Sequence, residues 1–149
     1  MNRLSLVLFL VLVAGGGLLI GWFTAPGEWY AQLSKPAFNP PNWIFAPVWT
    51  VLYILIAIAG WRAWQREPRA LPMTLWWVQL ALNFLWSPTF FAVHRIDLSL
   101  AIVLLLLAVI LAFIAGSCRR DRVAALLFAS YAVWVAYASV LNASIVMLN

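Results

Sequence analysis

Charge is scarce in this chain. Only 9% of its 149 residues are charged, against roughly a quarter in soluble domains, while 66% are hydrophobic and the mean hydropathy is +0.99. That balance excludes an ordinary water-soluble domain and points to a membrane protein. Acidic residues are the scarcest: Glu28, Glu67, Asp97 and Asp121 all lie in or beside breaks between apolar runs. A proton-coupled exporter needs a carboxylate inside the bilayer, so that class fits poorly. The single Cys118 excludes an internal disulfide, and one cysteine with one histidine excludes a self-contained zinc site. Metal, flavin and nicotinamide motifs are lacking, as are internal repeats, low-complexity linkers and the period-two alternation of a barrel. The net charge of +5 would suit nucleic acid, but the arginines sit in short segments between apolar runs. Membrane orientation explains them better, and no nucleic-acid partner is expected.

What the chain does have is long uncharged runs. They predict helices over 4–24, 43–62, 71–93, 98–118 and 123–147, each about the 20 residues that cross a bilayer core. Backbone polar groups must be satisfied inside hydrocarbon, so the expectation is an all-α bundle of five transmembrane helices, one domain over 1–149. The first run follows Arg3 but is longer than a signal-peptide core and lacks a clean small-x-small site, so it reads as a retained helix. Within it Gly17 and Gly21 form a GxxxG pair, a candidate dimer contact. The fourth run is almost purely aliphatic and reads as a lipid-facing or packing element. With five spans, Arg3, Arg62, Arg66, Arg69, Arg119, Arg120 and Arg122 share one side, against Lys35 and Arg95 opposite. The positive-inside rule then places the N-terminus in the cytoplasm and the loop over 25–42 outside. The two arginine clusters read as contacts with lipid headgroups.

The stretch 28–53 departs from generic apolar helix. Pro36, Pro40, Pro41 and Pro47 fall within twelve residues, among Trp29, Tyr30, Phe38, Trp43, Phe45, Trp49 and Tyr53. Proline fixes φ and restricts the residue before it, so 35–41 is expected to run extended. Composition alone favours an aromatic belt at the membrane interface followed by a helix start; the other reading is a stiff aromatic loop that shapes a lid. The pattern W-Y-x-x-L-x-K-P-x-F-x-P-P-x-W-x-F-x-P-V-W-T-x-L-Y over 29–53 resembles the translocator protein family, also called tryptophan-rich sensory proteins or peripheral-type benzodiazepine receptors. Residues 79–88, QLALNFLWSP, and 131–134, YAVW, extend the likeness over essentially the whole chain. The resemblance implies a bacterial-type, cell-membrane member: a five-helix bundle, usually a homodimer, binding porphyrins (protoporphyrin, haem-type tetrapyrroles) and other hydrophobic ligands with no required cofactor. Animal members carry a sterol-associated L/V-x-Y-x-K/R segment after the last helix. Residues 140–149 lack both Tyr and a basic residue, which puts tight sterol binding in doubt.

The residues themselves suggest where a ligand would sit. Trp76, Gln79, Asn83, Trp86 and Phe90 form one stripe at helical spacing, and Trp49, Tyr53, Ala57 and Gly60 a second. Tyr131, Trp134, Ala138 and Asn142 form a third. Such stripes suit a flat apolar ligand stacking on indoles, with propionates seeking donors such as indole N–H, Asn83 or Lys35. By the resemblance, Tyr30, Trp49, Asn83 and Trp134 fall on pocket positions, with Pro40, Phe45, Tyr53, Trp86, Ser87, Ala138 and Leu141 completing the wall. Gln79 reads as a hydrogen bond between helices. Trp49 and Trp134 are expected to meet across one cavity beneath the lid. His94, beside Arg95, reads as a solvated polar residue rather than a haem ligand. The expected function is a membrane receptor or sensor that binds porphyrins and possesses transport or regulation as its output. The alternative is oxidative degradation of bound porphyrin, with Tyr30, Trp49 and Trp134 as its aromatic candidates.

Overall fold

The computed structural model describes residues 2–149, and every regular element among them is helical. Six helices are numbered here in chain order. Helix α1, Arg3–Phe23, begins at Asn2, whose Oδ1 accepts from the Leu4 N–H at 3.0 Å, and it passes through a π turn at Val11–Gly15. Helix α2 is the short Glu28–Gln32, and α3 is Phe45–Arg66, entered through a 3-10 turn at Asn42–Ile44. Helix α4, Leu71–Ser87, carries Pro72 in its first turn, where a missing N–H costs least, and leads into a π turn at Pro88–Ala92. Pro88 cannot donate to the carbonyl one turn back, which is the physical reason for the widened turn there. Helices α5 and α6 are Ile96–Ser117 and Arg122–Leu148.

Four segments are long and apolar enough to cross a membrane: Arg3–Phe23, Asn42–Arg66, Ile96–Ser117 and Arg122–Leu148, of 21, 25, 22 and 27 residues. The expected third span is divided, because the α-helical part of 71–92 is only 17 residues before the π turn. The outer surface is as apolar as the interior: Leu8, Val133 and Met147 are 60%, 73% and 86% exposed. A water-facing helix would put polar groups there; lipid asks for none.

The helices close into a ring. The first half of α1 lies along α3, α3 along α6, α6 along α5, and α5 along α4; the second half of α1 returns to α4. Short connections after α4 and α5 leave antiparallel packing as the only option, so helix ends alternate between a lid end and an arginine-rich end. The core includes Ile56, Trp76, Phe113, Phe128 and Tyr131, all fully buried. Gly60 makes room for Trp76: a Cβ there would run into the indole, whose Nε1 donates to the Ile56 carbonyl at 2.9 Å.

Two expectations change here. The arginine clusters are not simply open to headgroups. Asp121 accepts from Arg62 Nε and Nη2 and from Arg66 Nε, each at 2.9 Å, while capping α6 through the N–H groups of Val123 and Ala124. Arg120 pairs with Glu67 at 3.0 Å. Burial alone would raise the Asp121 carboxyl, but the hydrogen bonds from Arg62, Ala124 and Arg66 win and hold it at about 2. The GxxxG pair is likewise split. Gly17 is buried, and a Cβ on it would collide with the Tyr53 ring, so its vacancy is filled by its own chain rather than by a partner helix. Gly21 meets nothing within 4 Å.

Candidate functional site

At the lid end the two halves of α1 diverge in their packing, and a cavity of about 530 Å³ opens among α1, α3, α4, α5 and α6. Tyr30, Phe45, Trp49, Tyr53, Asn83, Trp86, Ser87 and Ala138, all put forward from the sequence, line it. Leu141 lines a smaller neighbouring cavity of about 30 Å³ that shares Tyr30, Phe45, Trp86, Phe91 and Ala138 with the larger one. Pro40 and Trp134 line neither. Trp134 packs behind the wall, edge-on to Phe45 at 6.1 Å and against Tyr137 at 5.5 Å. Its indole N–H is buried without a hydrogen-bond partner among the described residues. Trp49 instead meets Tyr53 at 5.5 Å and the edge of Tyr131 at 6.5 Å. The two tryptophans therefore do not face each other across one space. Periodicity put Trp134 on the same stripe as Tyr131, but its ring packs on Phe45 and Tyr137 and borders neither cavity.

The polar groups of the wall are held by one another. Asn83 Nδ2 donates to the Tyr131 hydroxyl at 2.6 Å, and that hydroxyl donates to Gln79 Oε1 at 3.0 Å, tying α4 to α6. Gln79 is thus the interhelical bond expected of it, whereas Asn83 both bonds across and borders the cavity. Trp86 Nε1 donates to Asn142 Oδ1 at 3.1 Å; the same oxygen accepts from Ser99 Oγ at 2.9 Å, and Asn142 Nδ2 donates to the Ile96 carbonyl. Asn142 is fixed by three bonds, and through them the Trp86 ring is preorganised. Asn83 and Gln79 make one bond each, both to the Tyr131 hydroxyl, and Gln79 Nε2 is buried without a partner among the described residues. Thr24 and Ser87 share a hydroxyl hydrogen bond at 2.6 Å, which pins the end of α1 to α4.

The lid is strapped down from α6. The Tyr137 hydroxyl donates to the Phe38 carbonyl at 2.7 Å, and the Asn149 side chain pairs with both backbone groups of Ser34, at 3.0 and 2.9 Å. Residues 33–41 run without helix apart from a turn at 37–38, while α2 is a helical segment that the proline pattern did not foretell. From α2, Tyr30 drops into the cavity wall. Its hydroxyl is pushed up by burial, an effect that the hydrogen bond to Asn39 opposes. Lys35 Nζ lies 4.7 Å above the Tyr30 ring. His94 takes a left-handed backbone conformation, φ 59°, and stacks on Trp29 at 4.0 Å.

Sequence reasoning missed the wall supplied by α1: Gly17, Ile20, Gly21 and Thr24. It also missed the aliphatic part, Val103 and Leu106 of α5 and Val135 of α6. The glycine run in α1 was the available signal, since small residues open space as readily as they permit helix contact. Val103 and Leu106 carry no signal that separates them from other aliphatic positions.

The whole-chain comparisons agree with one another. The TspO/MBR family profile matches residues 8–148. The tryptophan-rich protein TspO of Archaeoglobus fulgidus is 39% identical over 156 residues, covering 100% of this chain and 99% of that protein. Protein CrtK of Rhodobacter capsulatus is 38% identical over 133 residues, 87% of this chain and 83% of its own. The human translocator protein is 32% identical over 134 residues, 85% of this chain and 79% of its own. Apolar spanning helices and these matches together describe a multi-pass membrane protein, and the chain belongs to the TspO/MBR family.

Proposed function

We propose that this protein is a membrane receptor or sensor that binds porphyrins and similar flat hydrophobic ligands in the lid-end cavity, with transport or signalling downstream of binding. One observation carries the reading: a cavity of about 530 Å³ whose wall combines the rings of Trp49, Tyr53 and Trp86 with the amide of Asn83. That size and that mixture, mostly apolar and rich in aromatic rings with a few polar groups, suit a drug-sized planar ligand. The names of two relatives, tryptophan-rich sensory protein and translocator protein, are in keeping with it. We read the fold in the membrane as five spans, counting α4 together with its π turn, with the N-terminus cytoplasmic on the arginine-rich side and a homodimer as the assembly. The test is titration of the purified protein with protoporphyrin, following tryptophan fluorescence. Saturable quenching that Trp49→Leu weakens is expected; quenching that never saturates, or that Trp49→Leu leaves unchanged, refutes the reading.

A further inference from the structure

Among the described residues, none that lines the cavity is charged. A ligand bringing a carboxylate into it must leave that group unpaired at high cost or hold it at the mouth, where a cation can meet it. Two cations lie at the lid end. Arg95 is closed on Asp97 by two bonds, Nε–Oδ1 at 2.9 Å and Nη2–Oδ2 at 2.8 Å. Lys35 is different. It is half-buried, and among the described residues no carboxylate lies within 4.0 Å of it. Its ammonium donates only to neutral backbone carbonyls, Leu33 at 3.0 Å and Ala31 at a long 3.4 Å. It rests on the face of Tyr30, a ring that borders both cavities. An ammonium has three donors, and carbonyl contacts of this length exchange readily for a carboxylate, which makes shorter, stronger bonds.

We propose that Lys35 anchors a ligand carboxylate at the mouth of the cavity, so that the site selects flat apolar acids over their neutral esters. The ring plane enters between Trp49 and Trp86 while the acid stays under the lid, on the ammonium over Tyr30. This rests on the ligand reading above and adds to it a chemical class and a specificity-determining residue.

The test compares protoporphyrin with its dimethyl ester on the wild-type protein, Lys35→Met and Lys35→Arg, in the same detergent, by tryptophan quenching. Reading the acid-to-ester affinity ratio cancels differences in how the two variants fold and how much active protein each sample holds. The wild type is expected to favour the acid by about tenfold, as for one charge-assisted hydrogen bond. Lys35→Met brings the ratio to about one with the ester unaffected, and Lys35→Arg keeps most of the preference. Equal binding of acid and ester by the wild type, or a ratio unchanged in Lys35→Met, overturns the anchor while leaving porphyrin binding standing. Failure of both compounds to bind the wild type defeats both readings together.

Discussion

Asp121 joins more of the arginine-rich end than any other side chain, and replacing it has a calculable effect. It is 5% exposed and accepts from Arg62, Arg66 and the first turn of α6 at once. A carboxyl held at about 2 against an ordinary 3.8 corresponds to about 2 kcal/mol of folding free energy at neutral pH. Asp121→Asn keeps an oxygen able to cap α6 but removes the charge, so about 2 kcal/mol should be lost. Asp121→Ala removes the cap as well, for about 3 kcal/mol in all. The pH dependence has a definite sign. Because the folded state depresses this pKa, the charge contribution is complete above about pH 4 and vanishes as pH falls through about 2. Unfolding by SDS, followed by far-UV circular dichroism, should give a wild-type to Asp121→Asn gap that is flat from neutral pH to about 5 and closes towards 2. Titrating groups common to both proteins cancel in that gap. A gap that is the same at pH 2 as at pH 7, or absent at neutral pH, refutes the assignment of Asp121 as the tie between α3 and α6.

Four further outcomes are expected. Trp49→Leu should weaken protoporphyrin binding about twofold to tenfold, the loss of one stacked aromatic face, while Trp64→Leu at the far end of α3 changes it little; both are read from quenching curves. Gly17→Ala should destabilise by about 1–3 kcal/mol, because the new Cβ meets Tyr53, whereas Gly21→Ala has room and should be neutral in the same unfolding assay. Tyr131→Phe should cost about 1–3 kcal/mol by leaving Asn83 and Gln79 without their shared hydroxyl, measured likewise. In a Cys118→Ser background, Ala31→Cys should react with an impermeant thiol reagent from outside intact spheroplasts; labelling only after lysis would reverse the proposed orientation.

Much of the fold was readable because a bilayer imposes one solution. Uncharged runs became helices with ends within a few residues of where charge resumes, as at Arg62–Arg66 and Arg122. The interruption at Pro88 was foreseeable as a local disturbance, yet its form as a π turn depends on the turn that follows. Side-chain partners were the harder part. A helical stripe tells which residues share a face, not what that face meets, so Tyr131 and Trp134 looked equivalent although one is locked to Asn83 and the other packs edge-on to Phe45. Gly17 looked like a contact between two chains because a small residue announces space without naming its occupant; Tyr53 fills it. The Asp121 cluster joins positions 55 and 59 apart in sequence, a distance over which local pattern carries no information.

The bond pair between Ser34 and Asn149 also orders events in time. These residues stand 115 positions apart, so the lid's backbone is translated long before the side chain that fastens it. At typical synthesis rates of about 5–20 residues per second, the interval is roughly 6–23 s. Throughout it the bundle can be threading into the bilayer, with α1 already against α3, while the lid hangs unfastened. Tyr137, which grips Phe38, is likewise made 99 residues after its partner. The pocket is therefore closed only after both straps have been made, and a nascent chain stalled before Asn149 would hold an assembled scaffold around an open mouth.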